Sequence, residues 1–210
     1  MWSSRSNVLV SRLRGRGRHF LVPALGLALG SGGCTAGYVQ DSTAPVLFRV
    51  TTVNDGAALN SDVRLAPSAV VDDLADVAVA VRSKNPNFDN VPQVAMAVFV
   101  ERYEISYYRS DGRGVQGVDV PYSISGNLTQ VVDVATSGSV ALSLVVVRAQ
   151  AKLEPPLINL WGVEPGILGG QALTVSMFAR ISIHGQTTAG QAVVATGTLQ
   201  INFADFPDED

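Results

Sequence analysis

Of the side chains able to act on a substrate, His184 stands first, because His19 and His184 are the only two histidines in the sequence. Ser176 and Ser182 fall on the same side of an alternating segment as His184, so a serine–histidine–acid relay is conceivable by spacing. No nucleophile elbow of the G-x-S-x-G kind accompanies them, and the sequence favours a plain histidine at a strand end. Carboxylates form two further groups. Asp72, Asp73 and Asp76 lie close together, and Asp205, Asp208, Glu209 and Asp210 crowd the carboxyl end. Hard oxygen donors of this kind suit calcium, but neither group follows the D-x-D-x-D-G order of a calcium loop. A solvated acidic loop and an acidic tail account for them better. Glu101 and Glu104 are an odd number of residues apart, so one strand points them to opposite faces and they cannot flank a glycosidic bond together. With so few histidines and one cysteine, zinc and other transition metals lack a ligand set, and neither a metal nor a cofactor is expected.

Phosphate chemistry has equally little to draw on. Gly30-Ser31-Gly32-Gly33 belongs to the amino-terminal leader described next, and Gly112-Arg113-Gly114 lacks the Lys-Ser/Thr ending of a phosphate loop. Tyr103, Tyr107, Tyr108 and Tyr122, with Trp161, could form a stacking surface for sugar rings or a protein contact. Tyr103 and Tyr107 share a face with Ile105 and read as core, whereas Tyr108 points the other way. Tyr108 and Trp161 are therefore the candidate binding residues. Asn127-Leu128-Thr129 fits the pattern of a glycosylation acceptor, which presupposes a eukaryotic secretory route.

That leader has the three parts that export requires. Arg5, Arg12, Arg14, Arg16 and Arg18 supply a positive stretch without an acidic residue, and the apolar run Phe20–Leu29 follows. Ten residues are too few for a membrane span, which needs roughly 20 in a helix, and are the length of a signal-peptide core. Small residues then lead to Cys34, the only cysteine in the chain. Residues 1–34 resemble the signal peptide of bacterial lipoproteins, with Ser31 in the place of the usual leucine. The resemblance implies cleavage before Cys34 and its lipidation, which anchors the protein in the cell envelope. Thr35 is not the aspartate that retains some lipoproteins in the inner membrane, so the resemblance implies the outer membrane. A lone unlipidated thiol in an oxidising compartment would be a liability, which favours the same reading.

Removing the leader 1–33 leaves 177 of the 210 residues, enough for one domain. Five of the 15 basic residues leave with it, so 10 remain against 18 acidic, a net charge of −8. That charge excludes nucleic acid as a partner, since such binding needs a basic footprint. Residues 34–45 read as a lipid-anchored tether, small, polar and ending at Pro45.

The elements that must position the candidate residues are strands. Strand-like segments run over Val46–Asn54, Asp76–Arg82, Phe99–Arg109, Tyr122–Ser125, Thr129–Val134, Val140–Val147, Leu173–His184 and Ala192–Phe203. In Phe99–Tyr108, Phe99, Glu101, Tyr103, Ile105 and Tyr107 point one way. In the second clear case Leu173, Val175, Met177, Ala179, Ile181 and Ile183 alternate with polar neighbours. The loop Gly185–Gly190 joins that segment to Ala192–Phe203 as a terminal hairpin, and Ser110-Asp111-Gly112 is the strongest of the other turn signals. Pro67–Ala75 fits a short helix capped by Ser68 or a strand with an acidic loop. Residues 154–171, rich in proline and glycine, form a long connection. About eight antiparallel strands without alternating helices predict an all-β, two-sheet sandwich over 46–204, with 205–210 as an acidic tail. The layout resembles an immunoglobulin or fibronectin type III domain in pattern, without the Cys–Trp–Cys framework. The function expected is that of a non-catalytic structural or protein-interaction module of the envelope, joined to the membrane by its lipid and to another envelope protein. A glycan- or calcium-dependent binding module is the alternative, and an envelope hydrolase using His184 the third.

Overall fold

The computed structural model describes residues 44–65, 69–88, 96–134, 138–161 and 173–206. The leader 1–33, Cys34 and most of the tether lie outside the described residues, as do 207–210 of the tail, 162–171 of the long connection, and Pro67 and Ser68. The described chain forms strands β1 (Val46–Val53), β2 (Leu59–Asp62), β3 (Asp73–Ser83), β4 (Val98–Arg109), β5 (Ile124–Val132), β6 (Val140–Val147), β7 (Val175–Thr187) and β8 (Ala192–Ala204), with one helical turn, α1 (Ala149–Lys152). Two sheets result: sheet A in the order β1-β3-β6, and sheet B in the order β2-β8-β7-β4-β5. The protein is an all-β two-sheet sandwich.

Neighbouring strands run antiparallel except β2, which joins β8 in parallel from Leu59↔Ile201 to Asp62↔Ala204. β1 and β2 are successive pieces of one edge, joined by the turn Asn54–Gly56, and they carry the chain from sheet A to sheet B. Gly197 on β8 makes room for this crossing. A Cβ there would sit 2.9 Å from Val53 Cγ2 and 3.0 Å from Val50 Cγ1, so only the bare backbone lets β1 lie against it.

The inner faces supply one core. Met177, Ala179, Ile181 and Ile183 of β7 are fully buried, as the period of two predicts, and Val193, Ala195, Leu199, Ile201 and Phe203 of β8 join them. From sheet A come Phe48, Val77, Val79, Leu142 and Leu144. Across this core the Tyr107 hydroxyl donates to the Val146 carbonyl at 2.7 Å, tying β4 to β6 and satisfying both groups.

In β4 the predicted face changes partway. Register shifts between Val100 and Arg102, because β4 carries one more residue than β7 there. This bulge turns both Glu101 and Arg102 outward and puts Val98 and Val100 on the same inner face as Tyr103, Ile105 and Tyr107. Phe99, expected beside Tyr103, is instead 45% exposed on the outer face.

The sandwich has two ends. At the entry end β1 begins, opposite the close of β3 at Ser83, and the β7–β8 turn Thr188–Gly190 lies there too. At the far end are residues 63–65 and 69–72, the β4–β5 connection 110–123, residues 148–161 after β6, and Asp205 and Phe206.

Candidate functional site

His184 does not end its strand. β7 continues to Thr187, and the imidazole stands on the outer face of sheet B, in register with Arg102. Its Nε2 lies 3.5 Å from Glu104 Oε2, within ion-pair range but without a hydrogen bond. Glu104 is hydrogen-bonded by Arg102, and that guanidinium holds its carboxyl below the ordinary range. Ser182 is the cross-strand neighbour of Glu104, and Ser176 donates to Asn202 Oδ1 at 2.8 Å. Neither serine has a hydrogen bond to His184 among those of the described residues, so the relay suggested by spacing is not assembled here.

The two aromatic candidates are placed apart. Tyr108 lies on the outer face of sheet B, its ring stacked on Phe178 with centroids 5.5 Å apart, and the Arg180 guanidinium is 5.6 Å from its centroid. Trp161 packs against the core at the far end, 6.0 Å from the Arg64 guanidinium. Its indole Nε1 and Arg64 Nε are both buried without a hydrogen-bond partner among the described residues.

Asp72, Asp73 and Asp205 turn out to have structural roles, at separate places. Asp72 Oδ1 accepts the Ala149 N–H at 2.6 Å, at the start of α1. Asp73 Oδ1 accepts from Lys152 Nζ at 2.9 Å, and its Oδ2 accepts the Ser61 hydroxyl at 2.5 Å. Lys152 and Ser61 are fully buried. A buried ammonium is tolerated only when paired, and this pairing joins β2, β3 and α1 from both sheets. Sequence reasoning missed it, because a lysine beside Gln150, Leu153 and Glu154 reads as solvent-exposed. Asp205 belongs to the sandwich rather than to an acidic tail: it is buried and lies 3.6 Å from Arg64, while Asp62 Oδ1 accepts the Phe206 N–H. Among the described residues, no cluster of three or more metal-binding side chains forms.

What the far end gathers is apolar surface. Leu65, Val71, Leu74, Leu153 and Leu173 are exposed there, and so are Val115, Val118 and Tyr122 in the β4–β5 connection. This connection is well tied. The Val115 carbonyl accepts from Val118, Asp119 and Val120, Gly117 N–H donates to the Val120 carbonyl at 2.8 Å, and Gln116 Nε2 donates to Ser123 Oγ at 2.9 Å. At its start the turn expected at Ser110-Asp111-Gly112 closes through Gly112 N–H to the Arg109 carbonyl, with Gly112 at φ 82°. Asp111 binds Arg113 and Arg109, and the Arg113 backbone N–H is the first cause of its lowered pKa. These bonds fix the backbone yet leave Val115 60% and Val118 66% exposed. Beside them a depression of about 140 Å³ opens between Tyr122, Arg148, Gln150, Glu154 and Pro155. The other exposed large apolar residues, Phe99, Val131 and Val194, lie on sheet B toward the entry end.

No protein-family model, no curated protein and no solved structure matches this chain.

Proposed function

We propose that the protein is a lipid-anchored, non-catalytic interaction module of the bacterial cell envelope, held through Cys34 and docking another envelope protein on the far end of its sandwich. The observation that carries the reading is the exposure of Val115 and Val118 in a connection whose own hydrogen bonds already fix its backbone. Apolar side chains on a backbone already fixed cost little to order on binding, and exposed apolar patches mark contact surfaces. The 12 residues of β4 span the sandwich, and at ~3.3 Å per residue the patch stands about 40 Å beyond the entry end. Outer-membrane residence follows from Thr35 under the lipoprotein sorting rule.

The anchor is tested by replacing the cysteine. A Cys34→Ala chain is expected to incorporate no palmitate and to leave the membrane fraction, and unchanged fractionation contradicts the reading. Docking is tested by crosslinking in cells followed by affinity isolation from envelopes. A stoichiometric envelope protein is expected; recovery of the chain alone counts against a partner.

A further inference from the structure

Four strands lie at sheet edges: β1 and β6 in sheet A, β2 and β5 in sheet B. An edge strand presents unpaired N–H and C=O groups, and folded proteins blunt such edges with short strands, charges, proline or bulges. Three of these four are blunted. β2 has only four residues and carries Asp62. β1 carries Arg49 and loses register at Thr51. β5 loses register between Asn127 and Gln130, and the Arg148 guanidinium covers the Ser125 carbonyl at 2.7 Å.

β6 differs. Its sequence, Val-Ala-Leu-Ser-Leu-Val-Val-Val, has neither charge nor proline, and it pairs with β3 without interruption from Val140↔Val79 to Val145↔Leu74. The register shift falls only beyond Val145, opposite Asp73 and Leu74. Among the described residues, none outside β3 makes a backbone hydrogen bond to Val140–Val145. Among the described residues, these six in regular register thus present an edge that nothing else pairs, and an uncharged open edge is a hazard unless something covers it.

We propose that this edge pairs with the same edge of a second copy of the chain, the two β6 strands running antiparallel about Ser143 and joining the two three-stranded sheets into one. The strand is complementary to itself in that register. Ser143 meets Ser143 of the other copy and Ala141 meets Val145 on the outer face, while Leu142 meets Leu144 on the inner face. No charge is brought opposite a like charge, which matters for a chain with a net charge of −8 once the leader is removed. Because the other edges are blunted, β6 finds its match only in another β6. Such an isologous contact closes at two copies and does not grow into a filament. The proposal is independent of the docking surface at the far end.

Ser143 is exposed and stands on the two-fold axis, so one substitution reports the pairing. Facing residues of antiparallel strands have Cα atoms about 4.5–5.5 Å apart, within disulfide reach. In the full-length chain expressed in cells, Ser143→Cys is expected to give a covalent species of twice the monomer mass on a non-reducing gel. The unsubstituted chain and Asn127→Cys on the β5 edge are expected to give none. In a second measurement the full chain, extracted in detergent, should sediment as a dimer and the Ser143→Lys variant as a monomer. Failure of Ser143→Cys to crosslink, equal crosslinking at Asn127→Cys, or crosslinking of Ser143→Cys to a different protein overturns the proposal. So does a monomeric parent, a larger parent assembly, or a dimer that survives Ser143→Lys.

Discussion

At the scale of single residues, the ionisable groups of the interior hold the two sheets together. Lys152 is fully buried while the Asp73 side chain keeps 13% of its surface exposed, and this asymmetry sets the order of two substitutions. Asp73→Ala strands a buried ammonium and is expected to cost about 3–5 kcal/mol. Lys152→Met removes the charge with its desolvation penalty, leaves the carboxylate to Ser61 and to water, and should stay within about 1 kcal/mol of the parent. Urea unfolding of both variants decides it, and the reverse order contradicts the account. Tyr107 makes a prediction in pH. Burial raises its phenol above the ordinary value of 10.0, so the folded state favours the neutral form. A raised pKa contributes stability that is complete below the unfolded pKa and is lost as pH rises toward the folded one. Tyr107→Phe lacks this dependence and costs about 1 kcal/mol at neutral pH through the lost bond to Val146. The parent's advantage over Tyr107→Phe in urea midpoint should therefore shrink above about pH 10, and an advantage that grows contradicts the assignment.

At the scale of elements, the sequence states a strand most clearly where one pattern runs unbroken. β7 and β8 alternate without interruption, and their inner faces were legible from Met177 to Ile183 and from Val193 to Phe203, whereas Leu173, expected on the same face, precedes β7 and is exposed. The bulge in β4 was not, because one extra residue inverts the parity and leaves no mark in composition. This yields a matched pair of substitutions. Val100→Ser should cost about 2–3 kcal/mol for lost burial and a strained hydroxyl, whereas Phe99→Ser should stay within about 0.5 kcal/mol. Equal unfolding midpoints for the two contradict the bulge. β5 was read as two pieces, Tyr122–Ser125 and Thr129–Val134, because Gly126 and Asn127 look like a turn; pairing with β4 carries the strand through them. β2 was missed altogether. Leu-Asn-Ser-Asp has no strand signature of its own, and it is a strand only because β8, some 140 residues later in the chain, offers it a parallel edge. In Ala69–Asp72 the chain forms no helix; a bridge from Leu65 to Ala69 leads into β3 at Asp73, the strand with an acidic loop. The same logic explains the candidate site. Tyr108 was correctly set on the outer face, whereas the pairings of Lys152 and Asp205 arise from contacts between distant segments that no local pattern announces.

At the scale of the whole molecule, a two-sheet β-sandwich hosts unrelated roles, so function has to be argued from its surface. Here the entry and far ends differ. The first is where β1 begins, and the second carries Val115, Val118 and Tyr122 in a connection with a fixed backbone. A dimer through β6 leaves that end uncovered, since β6 runs along the side of the sandwich. The most direct measurement places a photo-crosslinking amino acid at Val118 in cells, with the same group at Thr198 on the outer face of sheet B as the comparison. The account predicts one dominant adduct with an envelope protein from Val118 and none from Thr198. Equal labelling from both positions, or no adduct from Val118, contradicts it.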